Sequence, residues 1–276
     1  MATTTKQVIY IESKPCTKKA KTKKRWLSPS SINAYMRCPR NFYYSKIAKL
    51  KQKPSIYLIR GIAVHNAIEK FYKHKINQCG DMDYSTLRKI VTELIRDEWL
   101  VQKKSIRKLD LKKDELCLFI QESKNMMFNF LHDFIKDKGF EKRAPVIEKT
   151  FFSKKHMLLG RIDAIYNNRD PPLLVDFKTC KSKEVSDDYK RQLGIYALLY
   201  EEHFHTRAKV AIHFLKFEDG FKKFRISDKY IEKIKTIVAD IHDRTQSDNI
   251  DEYPCTCGWC DKNFETKTNS KNEPNR

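Results

Sequence analysis

An α/β fold is what the sequence predicts, on three observations. Up to about residue 137, apolar side chains recur at helical spacing. After Pro145 the period shortens to that of strands, and one further helical stretch, residues 189–204, lies between two of the strand-like runs. Of the 276 residues, 40% are apolar and 12% aromatic, enough to bury the core of one large domain.

Each element has its own signal. Ser28-Pro29-Ser30-Ser31 starts a helix, because a serine cap followed by proline in the first turn pre-forms it, and Ile32, Tyr35 and Met36 give it an apolar face. Cys38-Pro39 ends or kinks that helix. Gly61-Ile62-Ala63-Val64-His65 leads into a second one reaching about residue 76, with Ile62, His65, Ile68 and Phe71-Tyr72 at helical spacing. Residues 84–137 read as a long helical region carrying Leu87, Val91, Leu94, Leu116, Phe119, Met127, Phe130 and Phe134. Residues 146–152, 157–166 and 173–178 are strand-sized runs separated by turn material such as Asn167-Asn168-Arg169-Asp170-Pro171-Pro172, which predicts an antiparallel meander. A helix over 189–204, a strand over 209–217, a turn at Asp219-Gly220, a partner strand over 221–226 and a last helix over 227–246 follow. The domain is expected to span 26–262, between a flexible basic arm (1–25) and a polar tail (263–276).

Composition narrows the function. Lys and Arg number 56 against 35 Asp and Glu, a formal charge of +21 with a pI near 9.5, which excludes an acidic solvating protein and points to a polyanionic partner, nucleic acid first. No run of about 18 apolar residues and no signal-peptide core occurs, so a soluble, unsecreted, cytoplasmic protein with no membrane partner is expected. The run from Lys18 to Arg25 is compatible with a nuclear import signal or a solvated tail that adds phosphate affinity, so a nuclear or viral-host setting stays open. Eight cysteines in a Lys-rich chain of this length make a poor disulfide framework. Three of them crowd into Cys255-Thr256-Cys257-Gly258-Trp259-Cys260, a density that suggests a metal. Cys16, Cys79, Cys117 and Cys180 are read as unligated, Cys117 within a helix core.

The chemistry lies in the meander. Gly160-Arg161-Ile162-Asp163 precedes Asp176-Phe177-Lys178 so that Asp163 and Asp176 can project from the same edge of a sheet. Two convergent carboxylates suit a hard divalent cation such as Mg²⁺ or Mn²⁺. Strand alternation places Lys178 on the face of Asp176 and Phe177 on the other. An amine beside a carboxylate-bound metal polarises a phosphate oxygen or orients a water, as phosphodiester hydrolysis requires.

In chain order, five features resemble the PD-(D/E)XK nuclease superfamily, in the RecB-like branch that includes CRISPR-associated adaptation exonucleases and viral exonucleases. They are the helix from Ser28 through Cys38-Pro39-Arg40-Asn41-Phe42, the pair Gly61 and His65, Gly160-Arg161-Ile162-Asp163, Asp176-Phe177-Lys178-Thr179, and Gln192-Leu193-Gly194-Ile195-Tyr196. The resemblance spans about 27–260. It implies a restriction-endonuclease-like mixed central β-sheet flanked by helices, with the helical region as an insertion. It also implies His65, Asp163, Asp176 and the Phe177 carbonyl as metal ligands, Lys178 as the residue holding water and stabilising phosphate charge, and Gln192 and Tyr196 as positioning groups. Glu148 is left between an indirect metal contact and a structural role, and Glu69 is expected to be solvated.

The same resemblance implies a [4Fe–4S] cluster closing the chain ends through Cys38, Cys255, Cys257 and Cys260, with Zn²⁺ or no metal as alternatives. The chain departs from the family pattern here, since no cysteine follows Cys260 and Cys255 precedes the Cys-x-x-Cys pair. The implied activity is metal-dependent exonuclease action on DNA, with single-stranded ends favoured, in recombination and repair, viral DNA processing or CRISPR adaptation alongside helicase, recombination or adaptation proteins. A noncatalytic DNA-binding protein serving a helicase or recombination complex is the alternative. Phe42, Tyr43, Tyr44 and Tyr57 either stack bases or pack near the cysteines.

Overall fold

Five strands form one mixed sheet in the computed structural model, which describes residues 25–75, 83–136, 144–260 and 264. The strands are β1 (Val146–Ser153), β2 (Leu158–Tyr166), β3 (Leu173–Lys178), β4 (Lys209–Phe214) and β5 (Phe221–Phe224), paired in that order. β1, β2 and β3 form the predicted antiparallel meander. β3 and β4 are parallel, so the chain must cross over between them, which it does through α7 (Asp187–Phe204). β5 returns antiparallel to β4.

β3 is the central strand, and its sequence explains why. Leu173 through Phe177 are all buried, the near-continuous apolar run of a strand covered on both faces. Leu173, Val175 and Phe177 pack against α3 (Ile56–Lys70), α4 (Tyr84–Val101) and α6 (Lys113–Lys136). Leu174 faces the other way, into a core built with α7, α1 (Pro29–Arg37) and α8 (Asp228–Arg244). Asp176 and Lys178 therefore fall on the α7 side of the strand, with Phe177 on the opposite side, as alternation requires.

The N-terminal cap matches its signal. Ser28 Oγ accepts from the Ser31 N–H at 3.2 Å while the Ser28 N–H donates to Ser31 Oγ at 2.7 Å, and Pro29 fills the first turn. Cys38, in extended backbone ahead of Pro39, separates α1 from α2 (Pro39–Phe42). Leu27 bridges to Leu158, which ties this segment to the start of β2. Met36, expected on the apolar face, is exposed.

Other elements differ in extent. α3 begins at Ile56, not near Gly61, because Ile56 and Ile59 extend the buried stripe by a turn; Ala63, Val64, Ala67 and Ile68 form that stripe while Ile62 points outward. The helical region is α4, a short α5 (Lys103–Ile106) and α6, interrupted between 107 and 112. β4 stops at Phe214, where the Phe214 N–H donates to the Gly220 carbonyl. A Cβ on Gly220 would lie 2.1 Å from the Phe214 oxygen, so only glycine fits this tight return. Phe264, assigned to the polar tail, is buried, bridges to Gln52 and packs on Tyr44. Cys16, Cys79, nearly all of the basic arm and most of the C-terminal tail lie outside the described residues. No helix among the described residues is long and apolar enough to cross a membrane.

Gly160 sets how closely α7 approaches β2. A Cβ there would meet Leu199 Cδ1 at 2.7 Å and the Tyr196 ring at 3.3 Å. Gly160→Ala is expected to destabilise the fold by about 1–3 kcal/mol through overpacking, read as a lower urea midpoint at unchanged slope. An unchanged midpoint would mean that α7 gives way freely.

Candidate active site

Main-chain pairing between β2 and β3 runs from Tyr166–Leu173 to Ala164–Val175 and stops there. One residue further, where the same register sets Asp163 opposite Asp176, the strands part and the Asp163 side chain takes up the gap. Its Oδ2 accepts the Phe177 backbone N–H at 2.7 Å. On the other side of β2, β1 pairs through Ile147–Ala164 and Lys149–Ile162, which leaves Glu148 opposite Asp163 but outside the ladder, with a left-handed φ of 53°. Three adjacent strands thus place Glu148, Asp163 and Asp176 in one row.

α3 adds the imidazole. His65 Nδ1 lies 3.6 Å from Asp163 Oδ2, and ligand atoms of His65, Glu148 and Asp163 all fall within 4.8 Å of one another. The Phe177 ring meets His65 edge-on at 6.2 Å. Asp176 stands beside this trio. Its Oδ2 is 2.6 Å from Lys178 Nζ, which donates to Gln192 Oε1 at 2.8 Å, and Gln192 Nε2 donates to the Tyr196 hydroxyl at 2.7 Å. Gln192 and Tyr196 sit one turn apart on α7, so a single helix face orients the amine.

The electrostatics call for a cation. Burial, then the Asp176 carboxylate, pushes the Asp163 carboxyl well above its ordinary range, against the pull of the Phe177 N–H. Burial and then Asp163 push Glu148 up to about 6, despite Arg161, whose Nε lies 2.6 Å from Glu148 Oε2. Burial lowers His65, which favours the neutral imidazole that metals bind. One nitrogen and several hard oxygens fit Mg²⁺ or Mn²⁺.

Glu148 enters the site more directly than its sequence position implied, because the β1–β2 register and its own φ aim it at Asp163. Glu69, expected to be solvated, is partly buried, pairs with Lys73 at 2.5 Å and adds to the negative charge felt by Glu148. Arg60 belongs to none of the sequence motifs. It is 2% exposed, donates to the Thr179 carbonyl at 2.6 Å and pairs with Glu122 of α6, which Lys216 also contacts at 2.7 Å. An arginine inside an apolar helical run is the signal that marks it.

The second cluster is made of sulfur. Cys38, Cys255, Cys257 and Cys260 bring their Sγ atoms within 4.8 Å of one another, so Cys255 joins the other three despite its atypical spacing. Phe42, Tyr43 and Tyr44 pack nearby, Phe42 and Tyr43 against Tyr253 and Tyr44 against Phe264, whereas Tyr57 is exposed with Lys181 Nζ 5.1 Å over its ring. Cys117 is exposed on α6 rather than in its core.

The family model for the PD-(D/E)XK nuclease superfamily matches residues 26–263. This chain belongs to the PD-(D/E)XK nuclease superfamily. A crystal structure at 2.19 Å of a protein from Eubacterium rectale, named "Putative exonuclease", shares the fold at a TM-score of 0.54 and 12% identity, over 91% of each chain. No functionally curated protein matches the sequence.

Carboxyls with raised pKa bind more protons in the folded than in the unfolded chain, so metal-free stability falls as pH rises through the range where Glu148 and Asp163 ionise. A bound divalent cation reverses that loss. Millimolar Mn²⁺ is therefore expected to raise the melting temperature more at about pH 8 than at about pH 5.5, as scanning fluorimetry would read. An equal shift at both pH values would place the cation elsewhere.

Proposed function

We propose that the chain hydrolyses DNA phosphodiester bonds with Mg²⁺ or Mn²⁺, acting as an exonuclease that favours single-stranded ends. The observation that carries this reading is the convergence of His65, Glu148 and Asp163 beside the linked row Asp176, Lys178, Gln192 and Tyr196. His65, Asp163, Asp176 and the Phe177 carbonyl are the proposed metal ligands, with Glu148 added by its proximity. A cation held there supplies Lewis-acid charge to the scissile phosphate and its attacking water.

The chain's own groups do the rest. The Phe177 N–H fixes the Asp163 carboxylate through Oδ2, the oxygen that also lies 3.6 Å from His65 Nδ1, so one of its lone pairs is already committed. Asp176 and Gln192 hold Lys178 Nζ where it can orient water and meet charge that builds on the phosphate. Tyr196 fixes the Gln192 amide so that its oxygen, not its nitrogen, faces the amine. The surplus of cations lowers the cost of bringing a phosphate backbone to buried carboxylates.

The exonuclease mode is supported by the family motifs and by the name of the Eubacterium rectale fold neighbour. Helicase, recombination or CRISPR adaptation proteins are the proposed partners, in a reducing cytoplasmic setting. The four cysteines are proposed to hold a separate metal group, the family's [4Fe–4S] cluster or zinc.

Asp176→Ala and Lys178→Ala are each expected to lower cleavage of end-labelled single-stranded DNA by about 10²-fold or more in Mn²⁺, with circular dichroism and DNA binding retained. Gln192→Ala is expected to cost roughly 10- to 100-fold. Full activity in the Asp176 and Lys178 variants would place the chemistry elsewhere, and wild-type protein that binds without cleaving would make it a DNA-binding partner. If about five phosphates are neutralised, log affinity falls against log salt with a slope of about −3.5 to −4.5. A flat salt response would remove the electrostatic role of the basic surface.

A further inference from the structure

A cleft of about 420 Å³ adjoins the carboxylate site and shares Lys178 with it. Tyr57, in the first turn of α3, and Tyr189, in the first turn of α7, line it together with Thr179, Cys180 and Lys181, the residues that leave β3. Two contacts fix how α3 stands over that segment. Arg60 donates to the Thr179 carbonyl at 2.6 Å, and a Cβ on Gly61 would lie 3.5 Å from Thr179 Oγ1, so the helix packs closely on the strand end. Tyr57, one turn ahead of Arg60, is held there in turn. The Arg60 guanidinium carbon lies 5.5 Å from its ring centre, and the Phe119 ring of α6 meets it edge to face at 5.4 Å. Even so, Tyr57 is 48% exposed, which makes it a fixed aromatic platform with a free surface.

The charges in the cleft are unevenly committed. Arg60 is paired with Glu122, and Lys178 with Asp176. Lys181 instead donates to the Tyr57 hydroxyl at 3.3 Å, and its amine is 5.1 Å from the ring centre, so it stands at the hydroxyl end of the ring and not over its middle. Lys183, exposed and 5.4 Å over the Phe217 ring, continues the basic line. Tyr189, its ring centre 4.9 Å from Lys178 Nζ, links the cleft to the amine. An aromatic platform beside an uncommitted ammonium suits a single nucleic-acid strand, because every base has a face to stack and every nucleotide brings a phosphate. A base lying on a side chain cannot also stay stacked and paired in a duplex.

We propose that this cleft is the subsite for the nucleotide next to the scissile phosphate, its unpaired base stacked on Tyr57 and its outer phosphate met by Lys181. The inference rests on the nuclease reading and names the groups that make an unpaired strand the preferred substrate.

The test measures first-nucleotide release by the full-length protein in Mn²⁺, on end-labelled single strands in which one abasic site is moved through the first few positions from each end. In the wild type, a single position is expected to lower kcat/KM by about 10-fold. Tyr57→Ala is expected to lose about 10-fold on intact DNA, chiefly through KM, and to become indifferent to the abasic site, while Tyr57→Phe recovers most of that loss. Lys181→Ala is expected to flatten the slope of log affinity against log salt by about 0.7 and to stay sensitive to the abasic site. Should Tyr57→Ala fail to fold, as circular dichroism would show, Tyr57→Leu takes its place. A Tyr57 variant still sensitive to the abasic site, or abasic positions that all cost alike, would overturn the stacking, and an unchanged salt slope would overturn the phosphate contact. If the wild type binds without cleaving, the nuclease reading fails by itself. The same abasic scan, read by fluorescence anisotropy with short oligonucleotides in Ca²⁺, then supports the stacking if one position weakens binding in the wild type alone and rejects it if none does.

Discussion

The bond from the Phe177 N–H to the Asp163 carboxylate is the interaction on which the rest of the site depends. It sits where main-chain pairing between two antiparallel strands gives out, and it satisfies a buried amide that the ladder no longer reaches. In doing so it sets a charge between β2 and β3, flanked by Glu148 on one side and Asp176 on the other. Like charges so placed are tolerated because Lys178 and Arg161 each pair with one of them and because the row offers itself to a cation. The fold supplies this arrangement cheaply, since a central strand buried on both faces fixes which way every side chain of Asp176-Phe177-Lys178 must point.

That alternation is also why the heart of the site is legible in the order of the amino acids. Period-two strands convert sequence order into facing direction, so Lys178 beside Asp176 and Phe177 behind them follow from the residues alone. The order of helix, meander, helix and strand is legible for a related reason, because turn residues and caps such as Ser28-Pro29 and Asp219-Gly220 act locally. Glu148 is less legible. Its role depends on the register between two strands and on a left-handed backbone at a non-glycine residue, neither of which local composition encodes.

Helix starts and phases account for most other differences. Gly61 resembles an opening, yet it lies inside α3, where the stripe running from Ile56 to Ile68 overrides its weak helix propensity. Cys117 and Ile62 fall on exposed faces because an amphipathic helix has several nearly equivalent phases, and only packing chooses among them. The grouping of Cys255 with its partners is a three-dimensional fact behind an atypical spacing.

Arg60 gives the helical region a bearing on the sheet that goes beyond packing. Its guanidinium, shut away from water, spans from the Thr179 carbonyl just past Lys178 to Glu122 on α6, and Glu122 also grips Lys216 beyond β4. A buried cation of this kind is tolerable only while its counter-charge stays in place. The segment between α3 and β1 is therefore no detachable ornament. Excising it would strand a positive charge beneath the strand end that carries Lys178.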